Sequence, residues 1–157
     1  MLGSLAATMP EALSSRPDPR LTLTSQLDDL ARVLPWLEVL ANRYAVPPQT
    51  RFAIQLCLEE ALSNIVRHGY RGRAHQSITV ECAPPAAGEL VFTIEDHAPP
   101  FDPLATPASD LAPAPQSIAD LQPGDQGLRL MRNFASRLAW EPTPNGNRLT
   151  LAFNLPR

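Results

Sequence analysis

The sequence predicts an α+β fold, a two-layer α/β sandwich with helices on one face of a mixed, mostly antiparallel sheet. Three observations predict it. Periodic segments follow in the order strand, helix, helix, strand, strand, long loop, helix, hairpin. Helices therefore do not alternate regularly with strands, which disfavours a doubly wound parallel sheet. The chain closes on two alternating runs around Asn145-Gly146, a hairpin signal. Its 157 residues, 44% of them apolar, suffice for one domain with a buried core.

Arg20–Thr24 (RLTLT) alternates and suits a short strand. Ser25 stands where an N-cap would, with Asp28 at the third helical position. Leu27, Leu30, Ala31, Leu34, Leu37, Ala41 and Tyr44 then recur at spacings of three and four, giving one apolar helix face. Pro35 inside that run predicts a kink or a split, and AVPPQT breaks the chain. A second helix is expected from about Gln49 to His68, with Ile54, Cys57, Leu58, Ala61, Leu62 and Ile65 as its buried stripe and Gly69 as its stop. SITVEC (77–82) and ELVFTIE (89–95) read as strands joined across the turn-rich APPAAG. Residues 103–123 lack periodicity and carry Pro103, Pro107, Pro113, Pro115 and Pro123; a loop that long is usually functional or disordered. A short helix should run from Gly127 to about Ser136, followed by strands at 137–141 and 148–154. Residues 1–19 read as a flexible N-terminal leader and 20–157 as the domain, with no internal repeat.

Composition narrows the chemistry. Lysine is absent, since all 13 basic residues are Arg, so a GK[ST] phosphate loop and Schiff-base catalysis are excluded. A net charge of -3 leaves no basic excess for direct nucleic-acid binding. No stretch approaches the roughly 18 apolar residues of a membrane span. The N-terminus lacks the basic n-region of a signal peptide. Cys57 and Cys82 form no CxxC and read as small buried residues in a reducing cytoplasm. His68, His75 and His97 lack metal-ligand spacing. Trp36 and Trp140 are expected in or near the core, and Arg67, Arg71, Arg129 and Arg132 on solvated faces.

Three segments carry candidate chemistry. In LCLEEALSNIVRHGY (56–70), Glu60 and Asn64 are four apart and point about 40° from one another on a helix. They flank the apolar stripe rather than oppose it, where side chains can face a cleft between helix and sheet. A carboxylate there can accept a proton, and a carboxamide can offer a hard oxygen to Mg²⁺; the pair equally suits a polar helix edge. In IEDHAPPFDP (94–103), a strand ends in Asp96, which can accept a hydrogen bond from a ligand amine or simply form a turn. In PGDQGLRLMRNF (123–134), Gly124 and Gly127 precede an amphipathic helix, where free backbone N–H groups can meet phosphate.

The order and spacing of the three resemble the N, G1 and G2 boxes of the histidine-kinase-like (GHKL) ATPase superfamily, and within it the anti-sigma-factor serine/threonine kinases. The family pattern ExxxNxxxHGY is met by Glu60, Asn64 and His68-Gly69-Tyr70. DxGxPFDP is met by Asp96-His97-Ala98-Pro99-Pro100-Phe101-Asp102-Pro103, and GGxGLxL by Gly124-Asp125-Gln126-Gly127-Leu128-Arg129-Leu130. The closing NxLxL strand is met by Asn147-Arg148-Leu149-Thr150-Leu151. The resemblance covers roughly 20–155. It implies the histidine-kinase-like ATPase fold, with ATP and Mg²⁺ as cofactors. It assigns Glu60 as general base and Asn64 as Mg²⁺ ligand. The nucleotide-binding set becomes Asn64, Asp96, Ala98, Gly124, Gly127 and Leu128, with Asp96 taking the adenine amine and 103–123 as an ATP lid. It also implies a STAS-type anti-anti-sigma protein as phosphoryl acceptor, with a sigma factor as second partner and a homodimer as forms the family offers. Two positions depart from the pattern: Ala98 replaces the G1 glycine and Asp125 the second glycine of GGxGL. An alanine is poor at positive φ and an Asp near phosphate repels it, so weakened affinity is expected. A second reading follows, a non-catalytic partner-binding module of the same fold.

Overall fold

A computed structural model of the chain describes residues 18–105 and 127–156. The expected leader up to residue 17, most of the expected lid, and Gly124 and Asp125 lie outside the described residues. Strand β1 spans Arg20–Thr24, helices α1 Leu27–Leu30, α2 Val33–Arg43 and α3 Pro48–Asn64. A π-helical turn at Ile65–Gly69 continues α3. Strands β2 (Ser77–Ala86) and β3 (Glu89–Asp96) follow, then helix α4 (Gly127–Phe134) and strands β4 (Arg137–Thr143) and β5 (Gly146–Asn154).

The five strands form one sheet in the order β1-β2-β3-β5-β4. Every pairing is antiparallel, so the expected mixed sheet contains no parallel pair among the described residues. Two helical passes, rather than one crossover helix, separate β1 from β2, which reverses the second strand. Strand β4 runs the same way as β3, but β5 inserts between them. The core lies between this sheet and the helices. Leu23, Ile78, Val80, Phe92, Ile94 and Leu151 face Leu37, Leu40, Ile54, Leu58 and Leu62, each at most 2% exposed. Trp36 and Phe153 both meet Phe92 edge-on at 6.1 Å between centroids. Cys57 and Cys82 are buried free thiols, as the sequence predicts.

Several local expectations shift. Ser25 is not a helix cap: α1 follows Gln26, which makes no side-chain cap. Ser25 instead donates to the Arg73 carbonyl and accepts from Gln76 N, tying the 71–76 loop to the start of the chain. Asp29, inside the helix, instead reaches back to accept from Thr24 N at 2.7 Å, tying α1 to the end of β1. The split around Pro35 falls at Ala31–Arg32, leaving the proline in the first turn of α2, where a missing N–H is harmless. Residues 18 and 19, expected in the leader, are held: Asp18 O accepts from Trp36 Nε1 and Pro19 O from Cys82 N. Strand β2 runs on through Pro84-Pro85, over a register irregularity between Ala83 and Ala86 that spares the missing donors. The hairpin then closes on Ala87 and Gly88, both left-handed, with φ of 53° and 76°. The final hairpin turns on Pro144-Asn145, with Gly146 already paired to Thr143.

Candidate functional site

Strand parity brings the second segment to the helices. Ile94 faces the core, Glu95 faces out, and Asp96 faces the core again. On β5, Leu149, Leu151 and Phe153 face the core, and so does Asn147. Asp96 and Asn147 are direct cross-strand partners. The core-facing row therefore ends in a carboxylate and a carboxamide where apolar side chains would otherwise stand.

Above them, the end of α3 and the π-helical turn leave a narrow cleft of about 20 Å³, lined by Asn64, Gly69, Asp96, Phe101, Trp140 and Asn147 among others. The π turn closes on a bond from Tyr70 N to Ile65 O at 2.8 Å. It presses Gly69 onto Ala98, so closely that a Cβ on Gly69 would lie 3.3 Å from the Ala98 methyl. Tyr70, 1% exposed, donates its hydroxyl to Ser77 O and accepts from His97 N, both at 2.7 Å. The HGY segment thus fixes the turn that follows Asp96. His68 stacks on Phe101 at the cleft mouth, with ring centroids 6.1 Å apart.

Asp96 is 5% exposed. Its Oδ1 accepts from Ala98 N at 2.9 Å and from Asn147 Nδ2 at 2.8 Å. Burial pushes its carboxyl above the usual carboxylate range, while those two donors pull it back. Ala98 is buried and is not among the non-glycine residues at positive φ, which are Ala45, Arg71, His75 and Ala87. The expectation that alanine is strained at this position is therefore overturned: the backbone there needs no glycine, and the methyl fills the space that Gly69 leaves.

The first and third segments also meet. Helix α4 packs on α3, with Cys57 Sγ 3.9 Å from Leu130 O and Met131 buried. Its first residue, Gly127, lies so near Glu60 that a Cβ there would sit 2.7 Å from Glu60 Oε2. A side chain at this position would push the Glu60 carboxylate aside, so the glycine leaves that carboxylate where it stands against the helix start. Negative charge at a helix N-terminus is favourable, and the neighbouring Cys57 thiol, pushed up to about 12 mainly by burial, also feels the Glu60 charge. Leu128, the next residue, is half-buried against the core. Arg132 donates to Leu104 O at 3.0 Å, holding the chain just before residue 106.

The fold thus gathers Asn64 and Asp96 around one cleft, sets Ala98 behind its Gly69 wall, and places Glu60, with Gly127 of α4 against it, one turn of α3 before Asn64. Among the described residues no three His, Cys, Asp or Glu side chains cluster to hold a metal ion. Asn64 supplies one hard oxygen, which fits Mg²⁺ only as an ion arriving on phosphates. Asn147 is the site residue to which the sequence reading gave no role, although its strand parity marks it.

Residues 23–153 match the family described as histidine kinase-like ATPase domain. The chain is 34% identical over 139 residues to the serine/threonine-protein kinase BtrW of Bordetella bronchiseptica, covering 88% of this chain and 94% of that protein. Among solved structures, the RsbU and RsbW domains of Rv1364c from Mycobacterium tuberculosis share the fold, with a TM-score of 0.60 at 19% identity. That likeness covers 90% of this chain and 34% of the other. No helix among the described residues is long and apolar enough to cross a membrane.

Proposed function

Because the chain belongs to the histidine kinase-like ATPase family, we propose that it is an ATP-dependent serine/threonine protein kinase of the anti-sigma-factor type. The observation that carries this reading is the approach of Gly127 to Glu60 beside the cleft of Asn64 and Asp96. In this reading Asn64 and Asp96 line the cleft, and Glu60 with the start of α4 stands one helical turn from Asn64, so that base, hard oxygen, amine acceptor and helix start would meet successive parts of a purine triphosphate. Asp96 takes the exocyclic amine of the purine. The first amides of α4, from Gly127 and Leu128, face the phosphates, with Gly124 and Ala98 completing the nucleotide set. Asn64 would hold Mg²⁺, and the ion would offset phosphate charge. Glu60 takes the proton from a partner's serine or threonine hydroxyl as that oxygen attacks the terminal phosphorus, and the bond from phosphorus to the bridging oxygen breaks to release ADP. The identity to a protein named as a serine/threonine kinase supports phosphoryl transfer over binding alone. The conformation of Ala98 removes one motive for a non-catalytic module.

The acceptor is a STAS-type anti-anti-sigma protein, a sigma factor is the second partner, and the setting is the cytoplasm. Incubation of the chain with radiolabelled ATP and a panel of STAS proteins tests this. Label is expected on a serine or threonine of one of them, and Glu60→Gln should abolish transfer while leaving ATP binding within a few-fold. Saturable ATP binding without transfer to any acceptor would favour the binding module.

A further inference from the structure

Asn147 is 4% exposed, and its side-chain amide is fully engaged. Its Oδ1 accepts from Phe101 N at 2.9 Å and from Trp140 Nε1 at 3.1 Å. Its Nδ2 donates to Asp96 Oδ1 at 2.8 Å and to the carbonyls of Ala98 and Pro99 at 3.2 Å. Two N–H donors on one side and two carbonyls on the other leave the amide a single orientation. It lines the cleft, yet has no capacity left for a ligand. What it governs is its neighbour. With Asn147 and Ala98 both donating to Asp96 Oδ1, that oxygen is spent, and Oδ2 makes no hydrogen bond to a described residue. Both donors favour the ionised carboxylate against the burial that raises its pKa, and in that form the oxygen left for a ligand is an acceptor.

We infer that Asn147 is a positioning residue for base selection: it fixes Asp96 with one acceptor oxygen available to the cleft, which favours a purine carrying an exocyclic amine over one carrying a carbonyl. The inference rests on the nucleotide reading of this cleft and adds a residue outside the three boxes. The other side of the same amide holds Phe101 and the edge-strand indole of Trp140. Base reading and the packing of the cleft mouth thus depend on separate atoms of one side chain. A carbonyl at the position of the amine would face Oδ2 acceptor to acceptor, with no proton between them.

The test compares the dissociation constants of ATP and of inosine triphosphate, whose ring carries a 6-oxo group in place of the amine. The wild-type chain is expected to prefer ATP at least tenfold. Asn147→Ala should weaken ATP about tenfold and inosine triphosphate less than twofold, so that the preference collapses. Trp140→Phe removes a donor on the Phe101 side only and should shift both nucleotides together, preserving the ratio. Nuclear magnetic resonance on the wild-type chain needs no variant: the Asn147 side-chain amide protons should exchange slowly and shift more with ATP than with inosine triphosphate. Equal loss of both nucleotides in a folded Asn147→Ala, collapse of the ratio in Trp140→Phe, or unresponsive Asn147 amide protons would overturn the inference. A wild-type chain that binds both nucleotides equally overturns it alone; one that binds neither overturns the nucleotide reading as well.

Discussion

Asp96 shows how one residue carries opposing demands. On the nucleotide reading proposed above, it must be buried to sit beside a purine and ionised to accept from an amine. Burial, the larger influence, raises its pKa above 3.8, and the bonds from Asn147 and Ala98 oppose the rise. Below pH 3.8 both folded and unfolded chains hold the proton. Between there and the raised folded value the folded chain alone holds it, so this group's contribution to stability falls as pH rises through that window. ATP binding runs the other way, because only the ionised carboxylate accepts the amine. ATP affinity should therefore weaken as pH is lowered through the same window, and titration of the dissociation constant against pH should show it. Asp96→Asn should flatten that pH profile and lower ATP affinity about 10- to 100-fold, the weight of a hydrogen bond to a charged group of roughly 1.5–3 kcal/mol. Glu60 and Asn64 were legible as a pair because their spacing is local. Asn147 was less so, since its role depends on a partner 51 positions away. The trace it leaves is parity with Leu149, Leu151 and Phe153.

At the scale of elements, the N and G1 segments are joined by a glycine facing an alanine. A Cβ on Gly69 would reach 3.3 Å from the Ala98 methyl, a contact that requires one backbone to yield by a few tenths of an ångström. Gly69→Ala should cost about 1 kcal/mol or more by overpacking. In an Ala98→Gly background the same change should cost less, and urea denaturation of the four chains should give a coupling energy of at least about 0.5 kcal/mol. Additive costs would mean that the two segments do not press on each other. Gly146 is a sharper case. A Cβ there would lie 1.8 Å from the Asp96 carbonyl oxygen, which is backbone and cannot swing aside. Gly146→Ala should destabilise by roughly 3 kcal/mol or more and loosen the register of β3 against β5. The sequence showed that glycine as a turn residue, whereas the structure uses it for close approach. The helices themselves were legible from three- and four-residue spacing. The π-helical turn was not, because one extra residue per turn leaves the apolar pattern of α3 nearly unchanged while rotating His68 and Gly69 onto the G1 turn.

Over the whole molecule, the architecture was legible because it follows from element order, whereas the all-antiparallel sheet needed the number of helical passes to be counted. The site, by contrast, is assembled by topology. Helix α3, the end of β3, the start of β5 and the start of α4 come from four distant stretches, and none of them closes the cleft alone. A ligand bridging them should stabilise the chain as a unit. Binding to the folded state alone adds about 2.7 kcal/mol at a ligand concentration 100 times the dissociation constant. For a domain of this size that corresponds to a rise in melting temperature of roughly 5–10 °C. Calorimetry with MgATP should show the rise in the wild-type chain. Glu60→Gln should keep most of it, because a general base acts on the acceptor hydroxyl rather than on the bound nucleotide. Asp96→Asn should lose about half of it or more, because the ring subsite then lacks its charged acceptor. The contrast between the two variants separates a carboxylate that binds from one that transfers a proton. If both lost the rise equally, Glu60 would be a structural partner of the α4 helix start, and the acid nearest the phosphates would have to be sought elsewhere along the groove.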